Sequence, residues 1–280
     1  MTFGRRLRLA MDTRGPLCVG IDPHPELLSA WGLPMDVSGL QRFCATVVEA
    51  LGERVAVLKP QSAFFERFGS PGIAVLEWTL AAIRDAGGLS IIDAKRGDIG
   101  STVAAYAAAY LDPASPLAAD AITASPYLGF GSLQPLLDVA TAHQRGVFVL
   151  ALTSNPEGPQ VQHARTPSGS TVAQEILDAV AACNAATAGL GSTGVVVGAT
   201  VGQTGHSFAS LNGPILAPGL GAQGATPEDL RRVFGSALPD VLPSTSRDVL
   251  GRGPAVQSLR DAVERLHDQL SSGAGTYSAI

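Results

Sequence analysis

The chain has 280 residues, 46% of them hydrophobic and only 15% charged, with 32 glycines and 19 prolines. That composition suits buried parallel strands joined by tight turns and excludes a disordered chain. A formal net charge of −5 excludes general attraction to nucleic acid or an anionic membrane, so any phosphate must be held by a few aimed groups.

From the N-terminus, MTFGRRLRLAMDTRG is basic but lacks an apolar run long enough for a signal segment, and Asp12 interrupts it early. No later stretch offers the roughly 18 apolar residues of a spanning helix. Cys18, Cys44 and Cys183 lie far apart with no C-x-x-C spacing. They read as small buried hydrophobes in a reducing compartment, not as a zinc cluster or disulfide framework. The expected location is cytoplasmic.

Short apolar runs predict strands at Leu17–Asp22, Val55–Lys59, Leu89–Asp93 and Ala121–Ser125, then at Val147–Thr153, Gly194–Ala199, Pro214–Pro218 and Val241–Ser246. Helical periodicity falls between them, at Gly39–Leu51, Gly72–Ala86, Thr102–Leu111, Leu133–Ala142, Thr171–Thr187, Pro227–Phe234 and Pro254–Leu270. Nearly unbroken apolar strands imply burial on both faces, and regular alternation implies a parallel sheet with right-handed crossovers. Eight such units close most naturally into a (β/α)8 TIM barrel, one domain over residues 1–280; an open doubly wound sheet is the competing arrangement. Asn155–Ser170 is too long and too rich in Pro and Gly for a minimal turn, and is a candidate lid or partner-contacting loop, with a tolerated surface insertion as the alternative. Ser271–Ile280 reads as a flexible tail.

Asp22, Lys59, Asp93, Ser125, Ser154 and Arg247 all stand at or just beyond C-terminal strand ends, where a barrel assembles its chemistry. The most informative stretch is Ile92–Thr102 (IDAKRGDIGST), in which a buried strand ends in four charged groups within six residues. Asp93 and Lys95, two apart in extended chain, point to one face, into the barrel mouth. Taken alone, the pattern also describes a solvated turn in which Asp98 caps the next helix and Thr102 is merely helical. Asp22 before Pro23 could simply start a turn, Lys59 could be an edge lysine, and Ser154-Asn155-Pro156 is ordinary loop chemistry. Gly219-x-Gly221-x-x-Gly224, weak by itself, can form a concave anion-binding nest, with Arg247 adding a forked cation. Both elements follow strands 7 and 8, where barrels commonly bind phosphate.

DAKRGDIGST resembles the D-x-K-x-x-D-I-x-x-T signature of orotidine 5′-phosphate decarboxylases, in the form found in their longer bacterial branch, and the likeness spans the barrel. Gly20–Pro23 resembles the family's first strand end, where an aspartate, here Asp22, binds ribose hydroxyls. Val57–Pro60 resembles the second, where Lys59 would do likewise and join a charged network. Leu152–Asn155 resembles the fifth, with Ser154 on the pyrimidine. Pro218–Gly224 and Ser246-Arg247 resemble the seventh and eighth, where glycine-rich backbone including Gly224, Gln223 and Arg247 hold the phosphate.

The resemblance implies formation of UMP and CO2 from orotidine 5′-phosphate in de novo pyrimidine biosynthesis, with no cofactor and no metal. Loss of CO2 from C6 leaves an in-plane electron pair that the ring cannot absorb, and the needed stabilisation of something like 20 kcal/mol exceeds what one acid or base supplies. Lys95 would stabilise the carbanion and protonate C6, beside Asp93. The family pattern further implies a homodimer in which Asp98 and Thr102 reach the neighbouring site, completing a Lys59–Asp93–Lys95–Asp98 network. Competing readings are a Mg2+-dependent sugar-phosphate decarboxylase or aldolase of related barrels, which would place an acidic ligand where this chain has Lys59, a Schiff-base aldolase, and a non-catalytic nucleotide-binding barrel. Asp248, where similar sequences commonly have a small residue, departs from the pattern next to Arg247.

Overall fold

The computed structural model describes residues 1–202 and 205–272. Eight strands run β1 Cys18–Ile21, β2 Val57–Pro60, β3 Leu89–Arg96, β4 Ala121–Ala124, β5 Gly146–Leu152, β6 Thr193–Val197, β7 Ile215–Pro218 and β8 Val241–Thr245. They pair in sequence order, β8 closes on β1 and every pairing is parallel, so the sheet is a (β/α)8 barrel and not an open doubly wound one. The strands are apolar because their residues are enclosed twice, by the lumen and by the surrounding helices; all of β1, β2 and β4 is buried.

The surrounding helices include Val37–Leu51, Gly69–Asp85, Gly100–Leu111, Gln134–Ala142, Val172–Asn184, Pro227–Phe234 and Val256–Ser272, each beginning or ending within a few residues of its predicted counterpart. Asp36 starts the first by accepting from the N–H groups of Ser38 and Gly39, and Thr226 and Asp229 form a reciprocal capping box on the sixth. Ser271 and Ser272 complete the last helix, which corrects the start of the expected tail; residues 273–280 lie outside the described residues. Among those described, no helix is long and apolar enough to cross a membrane.

Among the helices that were not predicted, the one at the N-terminus closes the barrel. Phe3–Arg14 is capped by Thr2 and buries Phe3, Leu7, Ala10 and Met11, spaced to share one helix face. These close the bottom of the lumen, where they join Cys18, Val57, Ile91, Ala121, Phe148, Leu216 and Leu242 in one apolar cluster. Phe3 meets Phe148 edge-on at 6.0 Å between ring centroids. Arg6 of this helix lies 2.5 Å from Asp120, which also takes Arg145 at 2.9 Å and the N–H of Ser90 at 2.9 Å. The plug is thus fastened to Asp120, which Arg145 and Ser90 hold in place.

The cysteine reading needs one correction. Cys18 and Cys44 are buried, and burial pushes their thiols up to about 11 and about 12, but Cys183 is exposed on the outer side of its helix.

Candidate active site

Side chains alternate along each strand, so a lumen-facing residue recurs every second position. Val57, Ile91 and Ala121 belong to the apolar bottom layer; two residues further on, Lys59, Asp93 and Thr123 line a cavity of about 430 Å³ at the C-terminal mouth. That volume suits a ligand of nucleotide size. Apolar floor and charged rim are therefore one pattern read at successive turns of the pleat.

Lys59 and Asp93 are both deep in the wall, with side chains 7% and 11% exposed, and lie 3.1 Å apart, Nζ to Oδ2. Lys95, 45% exposed, places its Nζ 2.6 Å from the other carboxylate oxygen. Thr123, 1% exposed, donates to that same Oδ1 at 2.8 Å. Burial would raise the Asp93 pKa, but Lys59 and then Lys95 outweigh it and hold the carboxyl well below the usual carboxylate range. Burial would likewise lower that of Lys59, but Asp93 and then Asp22 hold it above the ordinary lysine value. The site therefore carries a fixed row of ammonium, carboxylate and ammonium in a wall of low dielectric, where such charges act strongly.

Asp93 and Lys95 do share the mouth, as expected, but not through plain alternation. Between Ile92 and Arg96 the register against β4 shifts, and Lys95 has φ +48°, a left-handed conformation that an L-residue adopts at a cost of about 1 kcal/mol or more.

Asp22 is 9% exposed, lines the cavity and has one buried oxygen, Oδ1, without a hydrogen-bond partner within the described residues. Ser154 stands at the rim beyond β5, and Gln223 and Arg247 at the ends of β7 and β8. In the closed strand order β7 lies opposite β3, so the candidate phosphate end faces the charged row.

Gly224 does not line this cavity. Its N–H donates to the Gly221 carbonyl at 2.6 Å, so that N–H is used within the turn. The turn needs φ +115°, +77° and +95° at Gly219, Gly221 and Gly224, and a Cβ on Gly221 would run into the Asp248 carboxylate. Asp248, the departure noted beside Arg247, thus packs directly under the glycine turn.

Asp98 and Thr102 lie outside the cavity formed by this chain. Asp98 accepts from the N–H of Ile99 at 2.7 Å, and Thr102 is exposed on the helix Gly100–Leu111. Ser125 is also absent from the cavity wall; its N–H ties to the Arg96 carbonyl at 2.8 Å, and the lumen position on β4 belongs to Thr123. Residues not anticipated include Thr123, Gln61, Thr245 and the rim pair His24 and Phe64, whose rings sit 4.3 Å apart. Counting by twos from Ala121 would have found Thr123. The buried hydroxyls of Thr245 and Ser246 have no partner within the described residues, which marks them as groups available to a polar ligand.

Asn155–Ser170 is an ordered excursion with a short helix at Pro159–Gln162. Gln162 pins it to the end of β5, accepting from the N–H of Thr153 at 2.9 Å and donating to its hydroxyl at 2.7 Å.

The sequence model of the orotidine 5′-phosphate decarboxylase / HUMPS family matches residues 15–261. An orotidine 5′-phosphate decarboxylase of Salinispora tropica is 65% identical over 95% of both chains, and one of Streptomyces coelicolor is 61% identical over 94% of this chain and 95% of its own. Among solved structures, a Streptomyces avermitilis protein provisionally named orotidine 5′-phosphate decarboxylase superposes with a TM-score of 0.95 at 58% identity, covering 98% of this chain and 96% of its own. The Leishmania donovani OMP decarboxylase gives a TM-score of 0.78 at 29% identity over 97% and 98%. With the family model covering most of the chain and a relative 65% identical over 95% of both chains, this chain belongs to the orotidine 5′-phosphate decarboxylase / HUMPS family.

Proposed function

We propose that this chain decarboxylates orotidine 5′-phosphate to UMP and CO2, the step that completes UMP in pyrimidine biosynthesis. The observation that carries the proposal is the row Lys59, Asp93, Lys95, with contacts of 3.1 and 2.6 Å, set across the lumen from the glycine turn and Arg247. With the phosphate at Gln223 and Arg247 and the ribose at Asp22 and Lys59, the pyrimidine, met by Ser154, lies toward β3. C6 then faces the Lys95 ammonium.

The C6–carboxylate bond breaks with its electron pair remaining on C6 while CO2 leaves. Lys95 stabilises that pair as it develops and delivers a proton from Nζ to C6, forming the C6–H bond of UMP. Preorganised charge is the main source of rate, since the lysine need not be recruited or reoriented during the reaction. Both Asp93 oxygens are engaged by Lys95, Thr123 and Lys59, which argues against a divalent ion on that carboxylate and so against the Mg2+-dependent alternative. Turnover is expected without added metal or organic cofactor.

A homodimer completes the site in this proposal. Asp98 and Thr102 lie beside Ile99, 63% exposed, and near the next loop's Tyr127 and Leu128, 77% and 54% exposed. An apolar patch of this kind calls for a partner surface, and a second copy would bring Asp98 to the neighbouring Lys95. A cytoplasmic location fits the three free thiols.

The test is an absorbance assay on orotidine 5′-phosphate in the presence of chelator. Lys95→Ala should lose turnover by about a thousandfold or more and still bind UMP; unimpaired turnover would remove Lys95 as proton donor. For the dimer, mixing inactive Asp98→Ala with inactive Lys59→Ala chains should recover about a quarter of wild-type activity, because half of randomly mixed dimers are hybrids and each has one intact site. No recovery despite demonstrated subunit exchange would count against shared sites.

A further inference from the structure

β3 and β4 are paired at Ile92↔Ile122 and again at Arg96↔Ala124. Between those points β3 takes four steps and β4 only two, so the β3 chain bulges out of the ladder and Lys95 turns to φ +48°. A buried or half-buried N–H that leaves a ladder needs another acceptor. The N–H of Lys95 finds it in the Thr123 hydroxyl, at 3.0 Å. Since the amide can only donate, the threonine oxygen accepts there, and its own proton is directed to Asp93 Oδ1 at 2.8 Å. That oxygen also receives Lys95 Nζ at 2.6 Å.

The result is a closed ring of hydrogen bonds. It runs from the Lys95 backbone through the Thr123 hydroxyl to the Asp93 carboxylate, and back through the Lys95 ammonium. The flanking clamps, Ser62 N–H on the Asp93 carbonyl at 3.2 Å and Ser125 N–H on the Arg96 carbonyl at 2.8 Å, hold the residues on either side but not Lys95 itself.

We infer that Thr123 is a positioning residue for the reaction: its hydroxyl holds the bulged backbone of Lys95 and the carboxylate of Asp93 together, and so fixes where the Lys95 ammonium stands relative to the substrate carbon. The inference rests on the decarboxylase function proposed above. Thr123 acts through Lys95 and Asp93, and the groups assigned to phosphate and ribose lie on other strands, so its loss should fall on the chemical step.

Thr123→Val keeps the shape and removes both hydrogen bonds; Thr123→Ser keeps the hydroxyl and removes the methyl. The experiment measures kcat and KM for orotidine 5′-phosphate, the Kd of UMP by calorimetry and the Tm of each variant. The Val variant should lose about a hundredfold in kcat, the scale of a roughly 1 Å misplacement of a reacting group. Its KM and UMP affinity should stay within about threefold of wild type, and Ser should restore most of the rate. Unchanged kcat in the Val variant, an effect confined to KM, or equal loss in Val and Ser would each overturn the role. If the Val variant does not fold, Thr123→Ala against Thr123→Ser decides in the same way. A wild-type chain inert toward orotidine 5′-phosphate would remove the proposed function and this inference with it, whereas an active wild type with an unaffected Val variant removes the inference alone.

Discussion

Replacing Asp93 by Asn tests whether one carboxylate is what permits a charged lysine inside the barrel wall. Lys59 is 5% exposed, and burial disfavours its ammonium, yet Asp93 and Asp22 hold its pKa above the ordinary 10.5. Asn keeps the shape and removes the charge. Lys59 can then stay charged without a hydrogen-bonded carboxylate, keeping the weaker pull of Asp22, at about 3–5 kcal/mol, or give up its proton. At pH 7, deprotonating a group whose ordinary pKa is 10.5 costs about 5 kcal/mol, at about 1.4 kcal/mol per pH unit. The two routes agree, so Asp93→Asn should be less stable by about 3–5 kcal/mol at neutral pH. Lys95 adds little, because its side chain is 45% exposed and such pairs contribute about 0–1 kcal/mol.

The pH dependence separates the cause from ordinary mispacking. With a folded pKa raised above 10.5, the wild-type lysine contributes stability that is fully present below that pH and is lost only as pH rises past it. In the variant the folded pKa falls below 10.5, so stability climbs as pH approaches that value, and the deficit should shrink to about 1 kcal/mol at pH 10. Urea unfolding of both proteins at pH 7 and pH 10 measures this. A deficit equal at the two pH values, or under about 1 kcal/mol at pH 7, would refute the assignment of Asp93 as the anion that keeps Lys59 charged.

The Asp93 carboxyl itself, held below its ordinary 3.8, contributes stability that is present above that pH and disappears as pH falls further; Asp93→Asn should lack this acid limb in a pH titration of unfolding. Gly221→Ala places a Cβ at φ +77° and against Asp248, so the free turn should relax away from its present geometry, and regaining that geometry on binding, at about 1–2 kcal/mol, should lower UMP affinity about tenfold. Adding Asp248→Ser should recover part of it by calorimetry, and full affinity in the single variant would refute the contact's importance. Phe3→Ala empties the barrel plug and should cost about 3–5 kcal/mol in urea unfolding while kcat at saturating substrate stays unchanged; a change under about 1 kcal/mol would mean that the plug does not hold the barrel shut.

The alternation of strand and helix was legible in the sequence because each barrel strand is enclosed on both faces, which requires apolar runs such as Val147–Thr153 whatever their neighbours. The strand-end residues were legible too, since Asp22, Lys59, Asp93 and Arg247 end apolar segments that have no reason of their own to finish in charge. Other features depend on segments that meet only in space. Phe3, Leu7 and Met11 form one helix face, but the floor they cover is assembled from residues as distant as Cys18 and Leu242, so nothing local announced a plug. Thr123 looked like one more β-branched strand residue until the β3 bulge left the N–H of Lys95 without a ladder partner and brought it to that hydroxyl. Gly224 read as a ligand contact, and the folded turn uses its N–H internally. By itself, then, the order of residues determined which elements form and which charges reach the barrel mouth, because those follow from burial and two-residue periodicity. Only the tertiary structure decided which atoms bond to one another there, because register shifts and turn geometry are settled by the closing of the whole barrel.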